Sequence, residues 1–269
     1  MNTQWTIIVL CLTLHLCNAS PYPEMNNNLL TVTSHNTVVL RGPVDDSSVS
    51  DIILKLHQIK ENNIYLILNT PGGSVVSGYH LIQTIDAFHK DGVKVICIAN
   101  VALSMGFVIL QSCPVRYIMP SSIIMQHQMA FGIIGPIERV KNYVNFVDNI
   151  ETKINMRQAN RLGLTLEDFK YRIINDWWIF GEQAIVNDMA DEMIYLLCEH
   201  DMLNKTTIET RYTMFGPIEI EFYQCPLISK PKSIRWSNYL TNDKQNLVLS
   251  MFDSDKMVFE YDKIRNFLQ

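Results

Sequence analysis

Residues 63–89 read NIYLILNTPGGSVVSGYHLIQTIDAFH, and this stretch decides the fold class. Asn63 to Asn69 is a short apolar run rich in β-formers, and Thr70-Pro71-Gly72-Gly73 ends it abruptly. From Val75 to His89 the apolar residues change spacing, with Leu81, Ile82, Ile85 and Phe88 on one helical face. A strand that turns directly into a helix is one βα unit. Beyond this unit, Val93 to Ala99 (VKVICIA) reads as a second buried strand, and MGFVILQS after Ser104 as the helix that follows it. Val115 to Met119 begins a third strand before Pro120, and Ile123 to Met129 makes a fourth. Strands alternating with crossover helices call for an α/β fold. Its sheet is mainly parallel, built from stacked βα units and covered on both faces, with ligand sites at the strand ends.

Further on, Ile137, Val140, Val144, Val147, Ile150 and Ile154 recur at steps of three or four, so Pro136 to Arg161 reads as one long amphipathic helix stopped by Gly163. Its apolar stripe needs a partner. Shorter helices are expected from Thr165 to Ile174 and from Glu182 to Asp188. After His200 the character changes. Short β-like runs (Ile218 to Tyr223, Leu247 to Met251, Met257 to Tyr261) are broken by Pro226, Pro231 and polar stretches, as in a small appended element or a loosely attached extension.

With 269 residues, 48% hydrophobic and 18% charged, the chain is long and apolar enough for a packed globule rather than a disordered segment. A net charge of -5, with no block of like charges, leaves no footprint for a nucleic-acid partner. Trp5 to Cys17 is a nearly unbroken apolar run, shorter than the roughly 20 residues that cross a bilayer, with small residues at Cys17 and Ala19. It reads as a secretory signal spanning residues 1–19, although no Lys or Arg precedes it; a buried first helix or an uncleaved anchor are the other readings. A cleaved Met1–Ala19 segment would place the chain in a secretory or extracytoplasmic compartment, an uncleaved chain in the cytoplasm. Outside it lie Cys97, Cys113, Cys198 and Cys225, without CxxC spacing and so without a metal signature. Secretion permits two disulfides, yet Cys97 sits in an apolar run where a buried free thiol is the commoner outcome, and the pairing stays open. A glycosylation sequon stands at Asn204-Lys205-Thr206.

Three features carry candidate chemistry. Gly72-Gly73 at a strand-to-helix turn lets the main chain approach a ligand and leaves N–H groups facing outward, or is simply a tight turn. Ser104, in Ala102-Leu103-Ser104-Met105-Gly106, sits at a helix start with the Met105 N–H free to donate, as a nucleophile does, or merely caps the helix. His127, in Met125-Gln126-His127-Gln128, shares a strand face with Ile123, Met125 and Met129, where a satisfied core histidine is as good a reading as a base.

Taken jointly, PGGS, then SMG about 30 residues on, then MQHQ 23 residues after the serine, resemble the proteolytic subunit of the Clp protease family over residues 30 to 196. The resemblance implies the ClpP/crotonase-like fold and a serine endopeptidase. It carries the nucleophile onto Ser104, the general base onto His127, and the orienting carboxylate onto Asp176, in a segment NDWWIFGEQA that runs like that family's RDRFLSAPEA. A buried Asp176 would hold the imidazole tautomer, and the Gly73 and Met105 N–H groups would form the oxyanion hole. Asp188 and Asp191 are the lesser candidates for the third role. The long helix from Pro136 corresponds to the family's ring-contacting handle, which implies stacked heptameric rings.

The chain is therefore expected to divide into a signal segment (1–19), a Clp-like protease domain (30–199) and an extension (200–269) of unassigned role. Polypeptides are the expected substrates. No cofactor is expected, and because GxxxxGK[ST] is absent any ATP-driven unfolding needs a partner AAA+ ATPase. Three departures from the family pattern stand out: Leu103 in place of a small residue, Met129 in place of proline, and Phe180-Gly181 in place of serine-alanine. Leu103 is expected to narrow the pocket. Two other readings remain, namely an exported relative using a Ser-Lys dyad through Lys141 or Lys153, and a catalytically silent crotonase-like scaffold.

Overall fold

A computed structural model describes residues 28–213, 216–236 and 241–268; the expected signal segment lies outside them. The first elements are β1 (Leu29–Val32), β2 (Thr37–Arg41), α1 (Asp46–Gln58), β3 (Asn63–Thr70), α2 (Val75–Lys90), β4 (Lys94–Leu103), α3 (Met105–Ser112) and β5 (Val115–Gln126). They are followed by α4 (Ile137–Arg161), α5 (Leu166–Arg172), β6 (Trp177–Phe180), α6 (Gln183–Val186), β7 (Glu192–Met193) and β8 (Tyr195–Cys198).

β2, β3, β4 and β5 pair in parallel in that order, β6 joins the end of β5 antiparallel, and β7 joins its start. This is the α/β, mainly parallel arrangement expected from residues 63–89. Alternation along the strands sorts the core. Ile64, Leu66 and Leu68 of β3 face the layer made by α1, α2 and α3, where Ile52, Leu81 and Phe107 are buried. Ile67, between them, packs on the other side with Val39, Ile98 and the β1–β8 pair.

The expected third and fourth strands are one. β5 runs through Pro120, whose ring is tolerated because the ladder to β4 skips from Ala99–Ile118 to Val101–Ile123 and leaves Pro120 without a partner there. It stops at Gln126, so His127 to Met129 lie beyond its end rather than on it.

The described residues after His200 are not loosely attached. β9 (Thr206–Thr213) and β10 (Gly216–Tyr223) form an antiparallel hairpin extended by β11 (Ser233–Arg235), and α7 (Asn242–Ser250), α8 (Ser254–Phe259) and α9 (Tyr261–Leu268) follow. Ile218, Ile220 and Phe222 alternate along β10 and pack with Phe252, Met257 and Ile264 against Leu103 and Met125 at the ends of β4 and β5. The runs at Leu247 to Met251 and Met257 to Tyr261, read as β-like, are helical. Each is too short to show its period alone, and the period emerges only across Met257, Tyr261 and Ile264, at steps of four and three.

Two disulfides, Cys97–Cys113 and Cys198–Cys225, resolve the open cysteines. The first ties β4 to the end of α3, so Cys97 is no free thiol; the second ties β8 to the chain after β10. Among the described residues no helix is long and apolar enough to cross a membrane. Phe222 is fully buried and lies under the Arg41 guanidinium, 4.8 Å from its ring centroid. Phe222→Ala is expected to cost about 3–5 kcal/mol in urea unfolding; a loss below about 1 kcal/mol would contradict a shared core.

Candidate active site

Ser104 sits between β4 and α3 with φ 53° and ψ -116°. A positive φ on a side chain other than glycine costs on the order of 1–3 kcal/mol and persists only where its surroundings enforce it. Here the Ser104 N–H donates to the Met125 carbonyl at 2.9 Å, and the Ser104 carbonyl accepts from Phe107 N–H at 2.9 Å. The hydroxyl makes no capping bond to the helix it precedes. Its Oγ lies 2.8 Å from His127 Nε2 instead, which replaces the capping reading with a hydroxyl–imidazole pair.

The Gly72-Gly73 turn lies against the same serine. Val44 clamps it from both sides, donating to the Gly72 carbonyl at 2.8 Å and accepting from Ser74 N–H at 2.7 Å. With φ 92° at Gly72 and 142° at Gly73, the turn takes backbone shapes that favour glycine. A Cβ on Gly72 would stand 2.6 Å from the Leu103 carbonyl and 2.7 Å from the Ser104 Cβ. The Gly73 and Met105 N–H groups have no acceptor among the described residues, and both residues line the cleft that Ser104 opens into. Met105 is fixed by its side chain, which lies against the α2 backbone at Gly78, where no Cβ would fit.

His127 follows β5 directly, and β6 explains why Asp176 is near it. The antiparallel register sets Gln126 opposite Trp177, so the next residue of one strand faces the residue before the other. Burial pushes the His127 pKa below its ordinary 6.5; Asp176 acts against that shift and Arg265 adds to it. No hydrogen bond joins the Asp176 carboxylate to the imidazole among the described residues. The carboxylate is part-exposed rather than buried as expected, and an Arg265 nitrogen lies 3.8 Å from it. The competing Asp191 is bound to Arg116, whose N–H and Nε donate to it at 2.8 and 3.2 Å. Asp188 offers its carbonyl to that same arginine.

Tyr261 and Arg265 of α9 escaped the sequence reading. Tyr261 is 5% exposed, its hydroxyl lies 3.1 Å from His127 Nε2, and its ring meets those of His127 and Trp178 edge-on. Its signal was the Met257–Tyr261–Ile264 spacing, which marks an inward-facing helical stripe. The cleft beside these groups has a volume of about 560 Å³, and Phe131, Ile154, Met251 and Phe252 are among the apolar residues that line it.

The departures now have structural reasons. Leu103 is fully buried against the C-terminal hairpin and helices and does not line the cleft, so it narrows no pocket. Met129 supplies an N–H that proline lacks, donated to Glu151 at 3.3 Å. Gly181, at φ 50°, passes so close to the Pro120 carbonyl that a Cβ would be 2.5 Å from its oxygen. Lys141 is exposed and paired with Glu138 at 2.9 Å, Lys153 is exposed, and neither lines the cleft.

Known proteins resemble this chain in sequence. A family model described as Clp protease matches residues 23–195. An ATP-dependent Clp protease proteolytic subunit of Streptococcus gordonii is 29% identical over 165 residues, covering 58% of this chain and 83% of that protein.

Proposed function

The chain belongs to the Clp protease family and is a serine peptidase of the Clp type, and on that premise we propose that it cleaves polypeptides through an acyl-enzyme formed on Ser104. The 2.8 Å approach of Ser104 Oγ to His127 Nε2, on a backbone bent to present the hydroxyl, is the observation that carries this reading. A neutral serine is a weak nucleophile, so His127 takes its proton as Oγ attacks the scissile carbonyl, then returns that proton to the leaving amine. In the second half-reaction His127 takes a proton from water as the hydroxide attacks the ester, then returns it to Ser104 Oγ as the C–O bond breaks and the carboxylic acid product leaves. The Gly73 and Met105 N–H groups supply donors for the oxyanion at both steps. Asp176, the residue before β6, orients the imidazole once the carboxylate turns toward it.

A rapid-mixing experiment with a chromogenic peptide ester tests this. One equivalent of alcohol per Ser104 should be released in a burst, and none in Ser104→Ala; turnover without an acyl intermediate contradicts the reading. His127 must be deprotonated to act, so kcat/KM should be full above its pKa and fall as acid protonates it. Because burial holds that pKa below 6.5, the acid midpoint should lie below the ordinary imidazole value; a midpoint above it, or activity unchanged on acidification, removes His127 as the base.

Polypeptide substrates, rings and a partner AAA+ ATPase belong to this proposal too. Of the apolar stripe along α4, Val147 and Ile154 are buried in this chain while Ile137 and Val144 stay exposed, and a second copy is the cover that exposed end suits. Sedimentation during the burst assay reads this directly, a monomer at full activity being the contrary result.

A further inference from the structure

The match to the Clp protease family ends at residue 195, yet two residues well beyond it reach the catalytic centre. We propose that α9 is a latch on that centre: Tyr261 occupies the His127 nitrogen that Ser104 needs, and Arg265 occupies the Asp176 carboxylate that His127 needs. This inference rests on the Ser104–His127 reading above.

A neutral imidazole has one N–H and one acceptor lone pair. In the tautomer that serves as base, that lone pair is on Nε2, and it accepts one good hydrogen bond. Two hydroxyls compete for it, Ser104 Oγ at 2.8 Å and the Tyr261 hydroxyl at 3.1 Å. Burial pushes the Tyr261 pKa up to about 12, so at neutral pH the phenol keeps its proton and remains a donor. While it donates to Nε2, Ser104 has no base. It also fills the space beside Nε2 that a leaving amine or an attacking water must enter.

The second intercept is electrostatic. Arg265 lies 3.8 Å from Asp176 and 2.8 Å from Asp262, so the carboxylate expected to orient His127 has a cation beside it and makes no bond to the ring. Both intercepts come from one helix, four residues apart, so a single displacement of α9 frees both. Its anchorage allows that. Tyr261 and Ile264 are buried, but Asp262 and Lys263 are exposed and Arg265 is part-exposed, so among the described side chains the helix is held by one apolar stripe and by the polar contacts of Tyr261 and Arg265.

Tyr261→Phe keeps the ring and its packing but removes the donor; Arg265→Gln frees Asp176. Two readouts on the intact protein decide the matter: the rate at which a fluorophosphonate labels Ser104, and the imidazole signals of His127 in histidine-labelled protein, assigned by their loss in His127→Ala. Each substitution should shift the His127 signals and speed labelling by about fivefold, the factor that a net hydrogen bond of about 1 kcal/mol corresponds to. Unshifted His127 signals overturn the latch whatever the catalysis does. Shifted signals with equal or slower labelling also overturn it, because Tyr261 would then assist the serine or stand by. Shifted signals with no labelling in any variant, wild type included, remove Ser104 as nucleophile, and the latch falls with that reading while the contact itself stands.

Discussion

Ser104→Ala is expected to lower kcat for peptide hydrolysis by roughly 10⁶-fold, the loss seen when the nucleophile of a comparable serine peptidase is removed. The size of the effect follows from the division of labour. The oxyanion donors and the cleft survive the substitution, but no atom remains to form the ester, and His127 is left to activate water on a substrate placed for a different attack. The change removes one oxygen, leaves the Cβ, and touches no bond of the backbone, since the Ser104 N–H and carbonyl contacts are main-chain. Thermal unfolding should therefore stay close to wild type, which separates chemistry from folding. Residual activity above about a hundredth of wild type would place the nucleophile elsewhere. His127→Ala should fall nearly as far, and the double variant little further, because the two act as a unit.

Gly72→Ala is expected to lower kcat by about 10²- to 10³-fold, the range that follows loss of one oxyanion donor. The added Cβ would meet the Leu103 carbonyl at 2.6 Å, the Ser104 Cβ at 2.7 Å and the Met105 nitrogen at 2.9 Å, so the turn carrying Gly73 must move away from the serine or the serine from the turn. Gly92→Ala provides the matched control. Its φ of 86° is close to the 92° of Gly72, so the backbone strain is similar, yet nothing lies within 4 Å of its Cβ. Both variants should lose stability, by about 1 kcal/mol or somewhat more, and only Gly72→Ala should lose activity. Equal activity in the two would show that the turn is not part of the site.

The sheet and the serine–histidine pair were legible because each is written locally. NIYLILN followed by PGGS can hardly be anything but a buried strand entering a helix, and a serine at the next such junction falls at the same edge of a parallel sheet by topology alone. The place of Asp176 beside His127 depends on the antiparallel return of β6, which no periodicity announces; motif order supplied the residue, and only the register gives the reason. The motif also led to a buried carboxylate bonded to the imidazole, whereas Asp176 is part-exposed beside Arg265. The C-terminal helices were missed for a plain reason. Their apolar residues cover one narrow stripe over three short segments, so no single window held a full period. Leu103 reads as narrowing the pocket from motif order alone, because the hairpin and helices that bury it lie more than a hundred residues further along the chain. Likewise, an apolar run around Cys97 says nothing of the end of α3, where its partner Cys113 waits.

The most direct measurement is the mass of the assembled protein after reaction with a fluorophosphonate, followed by peptide mapping. A single adduct per chain, on Ser104, absent in Ser104→Ala and sharply reduced in His127→Ala, is the expected result. An adduct on any other residue, or none on a correctly folded and assembled sample, would contradict a hydrolase built on that serine.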